Sequence, residues 1–119
     1  MQNRPFDKNG SPRGALSHHR LKVWWKALEL VRAVKTSPAG DAELRDQASR
    51  ASKSAALNIA EGAALGGAAK RRHFEIARAS TLETAAAYEV AREIGEKLPV
   101  ESVVEIASEL AAMLTALIR

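Results

Sequence analysis

Cysteine is absent from this 119-residue chain, which excludes a disulfide scaffold and any chemistry that rests on a thiol or a Cys-bound zinc. Aromatic side chains are scarce as well, with two Trp, two Phe and one Tyr. Few aromatic and few β-branched residues leave little from which to build strands, so an all-β fold is disfavoured. Long apolar runs are also missing. None approaches the length that crosses a bilayer, and residues 1–20 lack the apolar stretch of a secretory signal. The expectation is a cytoplasmic protein with no membrane partner. Proline is confined to Pro5, Pro12, Pro38 and Pro99, which leaves long stretches free to be helical.

Alanine is what the chain has in excess. It accounts for 24 of the 55 hydrophobic residues, and it favours helices because it loses no side-chain entropy on becoming helical. A chain of this length is normally served by one core. The formal charge of +4 is unevenly spread: residues 1–40 carry +6, residues 41–80 carry +2 and residues 81–119 carry −4. A basic front and an acidic back would attract a polyanion to one end or orient neighbouring copies.

Glycine and proline divide the chain. Residues 1–19 hold Pro5, Gly10, Pro12 and Gly14 with little apolar content and read as a disordered basic tail. Breaks follow at Ser37-Pro38, at Gly66-Gly67 and between Gly95 and Pro99. The segments between them, about 20–36, 41–61, 68–95 and 100–118, each repeat apolar residues at helical spacing. In the first, Leu21, Trp24, Leu28, Val31 and Val34 share a face; in the second, Leu44, Ala48, Ala51, Ala55, Asn58 and Gly62 do. The third shows two seams, one through Phe74, Ala77, Thr81, Thr84, Tyr88, Ala91 and Gly95, the other through Ile76, Ser80, Glu83, Ala87, Val90 and Ile94. The fourth carries Val103, Ala107, Leu110, Leu114 and Leu117. Short connections make successive helices antiparallel neighbours, so the predicted fold is all-α, an antiparallel up-down-up-down four-helix bundle over residues 20–119. The small side chains on its seams bury little area each, so self-association is expected to supply further apolar contact.

No catalytic constellation emerges. Di-metal bundles need Glu-x-x-His pairs, and the chain has none; the Gly62–Lys70 stretch lacks the spacing of a P-loop. Neither a metal nor a cofactor is expected. Two clusters stand out instead. Lys70-Arg71-Arg72-His73 opens the third helix, where cations oppose the helix dipole, and phosphate contact would favour them there. Lys22 and Lys26 extend that patch, with Trp24 or Trp25 available for base stacking if exposed. A solvated basic loop, or pairing with acids of a neighbouring subunit, carries equal weight. The second cluster is Ser54, Asn58, Glu61, Ser80 and Glu83, polar groups on apolar seams. A buried network in which hydroxyl and amide donors satisfy the carboxylates is favoured over a catalytic carboxylate pair.

Asn58-Ile59-Ala60-Glu61-Gly62, Ile76-Ala77-x-Ala79-Ser80-x-x-Glu83 and the terminal Met113-Leu114-x-x-Leu117-Ile118-Arg119 resemble the four-helix-bundle family named after the 23S rRNA intervening sequence. Leu21-Lys22-Val23-Trp24 is similar to that family's first-helix start. The resemblance implies a short non-catalytic bundle and, through the related accessory variability protein of diversity-generating retroelements, a homo-oligomer, a pentamer, that works with RNA or DNA and a reverse transcriptase. It also implies that Asn58, Glu61, Ser80 and Glu83 play a shared structural or interface role. Two departures are visible. Ser54-Ala55-Ala56-Leu57 replaces a Ser-Ile-Pro-Ser run, and the Gly62–Lys70 connection is poorer in basic residues than in many relatives. The expected function is that of a self-assembling nucleic-acid-binding accessory or scaffold. The alternative is a protein-interaction module without nucleic-acid binding, which docks through the acidic fourth helix.

Overall fold

The computed structural model describes residues 16–119, and among these all regular structure is helical. A 3-10 turn, Ser17–Arg20, leads into α1 (Lys22–Thr36), α2 (Ala42–Ala63), α3 (Gly67–Glu93) and α4 (Val100–Ile118). Residues 1–15, where most of the expected tail falls, lie outside the described residues. Its last residues are not tail: His19 is buried within the 3-10 turn.

The helix ends follow local chemistry. Pro38 disfavours helical backbone at Ser37, where α1 stops. Asp41 caps α2, its side chain accepting a hydrogen bond from the Leu44 amide at 2.9 Å. Gly67 (φ +59°) starts α3 and Gly95 (φ +98°) follows its end, both in the left-handed region that glycine adopts without a Cβ clash.

α1 packs along α2 and α4, and α3 along the same two, while the diagonal helices stand further apart and α3 reaches α1 through the Tyr88 hydroxyl. Side-chain pairs give the directions. Arg78 reaches Thr115 and Arg92 reaches Glu101, so α4 descends as α3 ascends. Gln47–Glu83, Ser54–Ser80 and Asn58–His73 show the same reversal between α2 and α3. At one end Glu96 accepts from the Gly40 and Asp41 amides at 2.7 and 2.8 Å, tying the α3–α4 connection to the start of α2. Nearby, the Tyr88 hydroxyl donates to the Ser37 carbonyl at 2.6 Å, joining α3 to the end of α1. The fold is the four-helix bundle that the periodicity predicts.

The core faces depart from expectation on three helices; on α4 the expected Leu117 is 45% exposed and its neighbour Ile118 is buried instead. α1 buries Val23, Ala27, Leu30 and Val34, whereas Trp24, Leu28 and Val31 are half-buried at the edge. Because α1 sits between two neighbours, its buried centre lies between the larger residues rather than on them. On α3 the first seam is buried from Phe74 through Ala91, while its expected last member, Gly95, lies exposed beyond the helix end. The second seam is buried only at Ser80 and Ala87, and Glu83, Val90 and Ile94 face solvent. Two partners, α2 and α4, leave the outer side of α3 uncovered.

Candidate nucleic-acid interface at one end of the bundle

Antiparallel packing gathers the starts of α1 and α3 with the ends of α2 and α4. Residues far apart in sequence therefore share one end: Arg20 and Lys22, then Lys70, Arg71 and Arg72, then Arg119. Lys70, Arg71 and Arg119 line one shallow groove of about 430 Å³, together with Gly67, Ala68, Leu117 and Ile118. Lys22 and Arg72 are exposed, and Arg72 has no ion-pair partner among the described residues. Arg71 approaches Glu75 at 3.6 Å, a loose pair on a helix surface whose partner is easily exchanged for phosphate.

The cost expected for cations at a helix start is smaller than the sequence implies. α3 begins at Gly67, so Lys70, Arg71 and Arg72 fall past its first three residues, where the dipole effect has largely decayed. Their placement needs no compensating ligand; what favours phosphate contact is the clustering of the cations alone.

Lys26 stands apart from this group. Its ammonium lies 2.8 Å from Glu109 and 3.0 Å from Glu29. Those hydrogen bonds, to Glu109 first and Glu29 second, raise its pKa above the ordinary lysine value. Lys26 straps α1 to α4 and is already neutralised. The tryptophans are likewise occupied. The Trp25 indole donates to the His19 carbonyl at 3.2 Å and its ring stacks on His19. Trp24 meets His18 edge-on at 4.4 Å, and its indole nitrogen is buried without a hydrogen-bond partner among the described residues. Burial, aided by the neighbouring His19, lowers the His18 pKa below its ordinary value. Neither indole forms an open stacking platform.

The second cluster is a polar chain along the α2–α3 seam. Ser80 and Ser54 share a hydrogen bond at 3.1 Å. The Asn58 amide donates to the Ser54 carbonyl at 2.9 Å and approaches its hydroxyl at 3.2 Å. That orientation leaves the Asn58 carbonyl to accept from His73 Nδ1 at 2.9 Å, which fixes the proton on that ring nitrogen. The carboxylates are not buried within this chain. Glu61 is exposed and 3.8 Å from His73, and Glu83 is exposed and accepts from Gln47 at 3.0 Å. The expected network thus forms through Ser54, Asn58 and Ser80, with Glu61 and Glu83 at its solvent margin.

His73 and Gln47 are the members that sequence reasoning missed. The signal was available: Asn58 and His73 stand nearly equal distances before and after the Gly66 turn, which is where an antiparallel pair must meet. Gly62 belongs to the same seam. A Cβ there would come within 2.8 Å of the Phe74 ring and 3.1 Å of His73 Cβ, so glycine lets α2 and α3 close at this point.

The model of the 23S rRNA-intervening sequence protein family matches residues 19–116. The chain belongs to that family. The match takes in nearly all of the four helices of this 23S rRNA-intervening sequence family member, including the polar chain and, of the basic end, Arg20, Lys22, Lys70, Arg71 and Arg72 but not Arg119. No curated protein matches the chain. Among the described residues no helix is long and apolar enough to cross a membrane, and no cluster of His, Asp and Glu could hold a metal ion.

Proposed function

We propose that this protein is a self-assembling, non-catalytic bundle that binds RNA or DNA phosphates through its basic end, as a cytoplasmic accessory or scaffold. One observation carries the reading: packing collects Lys22, Lys70, Arg71 and Arg72 with Arg20 and Arg119 from three separate stretches of sequence. Such a cluster supplies the sequence-independent attraction that positions a protein on a phosphate backbone. A binding role also suits the polar α2–α3 chain, whose hydroxyl, amide and imidazole groups are spent on one another. Self-assembly, as the family resemblance implies with a pentamer, would repeat the basic end on every copy and multiply the contacts. A reverse transcriptase or other protein would be the working partner.

Fluorescence anisotropy with a labelled RNA hairpin and a labelled DNA duplex tests this. Replacing Lys70, Arg71 and Arg72 by Glu should weaken binding and flatten the slope of log affinity against log salt by about 2–3. Lys26→Ala should leave that slope unchanged, because Lys26 is already paired. Absence of wild-type binding at low salt would remove the proposal.

A second reading is favoured by one feature. Glu89, Glu101, Glu105 and Glu109 surround an α3–α4 groove of about 340 Å³ in which Arg92 is the one cation among the described residues. A basic protein partner would suit that face. Charge reversal at Glu101, Glu105 and Glu109 would then abolish partner capture while leaving nucleic-acid affinity intact.

A further inference from the structure

Two uncovered faces of the bundle are complementary in shape and in charge. The first is a groove of about 540 Å³ between α1 and α2. Val31, Val34 and Pro38 make its apolar lining, and Lys35, Arg45 and Lys53 its basic rim. Among the described residues no acidic side chain lines it. Arg45 is anchored by donating to the Ala39 and Gly40 carbonyls, which hold its charge in place without cancelling it. Lys35 and Lys53 have no ion-pair or hydrogen-bond partner among the described residues.

The second face is the outer side of α3. Leu82, Val90 and Ile94 are 53%, 48% and 58% exposed, and the exposed Ala79 and Ala86 continue the same helical spacing. This is a continuous stripe rather than scattered apolar residues, and such patches mark contact sites. Its borders are acidic. Glu83, Glu89 and Glu93 run beside it; Glu83 bonds only to the neutral Gln47, and Glu89 and Glu93 are unpaired among the described residues.

We infer that the α3 stripe of one copy seats in the α1–α2 groove of a second copy. This rests on the self-assembly proposed above and adds which faces meet and in what sense. An apolar ridge edged with carboxylates enters an apolar groove edged with cations, so burial and charge select the same partner. From Leu82 to Ile94 the stripe runs about 18 Å, and Arg45 to Lys53 spans about 12 Å of α2, so the ridge fills the length of the groove. A copy cannot fill its own groove, because its stripe lies on the exposed side of α3, facing away from the bundle axis. The two patches are different surfaces, so the contact is head-to-tail, and repetition gives a ring or an open chain rather than a two-fold dimer.

Complementary lesions test the polarity. One variant carries Lys35→Glu and Lys53→Glu in the groove; the other carries Leu82→Glu and Val90→Glu on the stripe. All four positions are exposed, and circular dichroism checks that both variants stay helical. In sedimentation velocity at micromolar concentration, wild type should run as a multimer and each variant alone as a 12.8 kDa monomer. Mixed in equal amounts, the two variants should form a species of twice that mass, because one intact groove then meets one intact stripe. The triple Lys70, Arg71 and Arg72 change should keep the wild-type mass. A monomeric wild type would overturn self-assembly altogether. A multimeric wild type with unaffected groove or stripe variants, or a mixture that stays monomeric, would overturn this interface and leave self-assembly standing.

Discussion

Replacing Gly62 by alanine sets two known effects against each other at one site. Alanine inside a helix is favoured over glycine by about 0.8–1 kcal/mol, so propensity alone would stabilise α2. The new methyl, however, would stand 2.8 and 2.9 Å from two atoms of the Phe74 ring and 3.1 Å from His73 Cβ. Phe74 is 3% exposed and enclosed by the core, so its ring has little room to retreat. His73 Cβ moves only with the α3 backbone. Overpacking of this kind costs about 1–3 kcal/mol, which outweighs the propensity gain. Gly62→Ala is therefore expected to destabilise the fold by about 1 kcal/mol, a fall in Tm of roughly 4–8 °C for a domain this size. Urea and thermal unfolding followed by circular dichroism, at matched protein concentration, measure it. Gly66→Ala is the control, since a Cβ there meets nothing within 4 Å and its φ of −132° suits any residue. Adding Phe74→Leu to Gly62→Ala should recover part of the loss by vacating the contested space. An unchanged or raised midpoint for Gly62→Ala would refute the close-approach argument.

Tyr88→Phe removes the hydroxyl that donates to the Ser37 carbonyl and should cost about 0.5–1.5 kcal/mol in urea unfolding. Burial raises the Tyr88 pKa above its ordinary value, so the folded state holds the phenol proton to higher pH than the unfolded state does. Wild-type stability should accordingly fall as pH rises beyond about 10, and the Phe variant should lack that component. Glu96→Gln leaves one carbonyl oxygen where two carboxylate oxygens received the Gly40 and Asp41 amides. It should cost about 1–2 kcal/mol, and hydrogen exchange should show faster opening at the first turn of α2; unaltered exchange there would count against the tie between the two connections.

Sequence legibility differed between the fold and the site. Helix number and breaks were readable because Ser37-Pro38, Gly66-Gly67 and Gly95–Pro99 act on the backbone locally. The buried seam of α3 was readable because Phe74, Ala77, Thr81, Thr84 and Tyr88 keep one helical spacing. The facing of α1 was not. Trp24 and Leu28 are larger than Ala27, yet Ala27 is fully buried and they are not, because the packing of two neighbours decides which side turns inward. At the site, composition marked Lys70, Arg71 and Arg72. It could not tell that Lys26 meets Glu109, 83 residues away, or that Asn58 binds His73.

The sequence by itself determined what depends on neighbouring residues: helix identity, helix ends, and a charge that shifts from basic to acidic along the chain. The tertiary structure decided how that charge is distributed in space. Antiparallel packing folds the gradient back on itself, so basic residues near the starts of α1 and α3 and the end of α4 meet at one end. The same packing sets how many neighbours each helix has. Packed between α2 and α4, α3 keeps its outer stripe uncovered among the described residues, a property that no spacing along one chain contains.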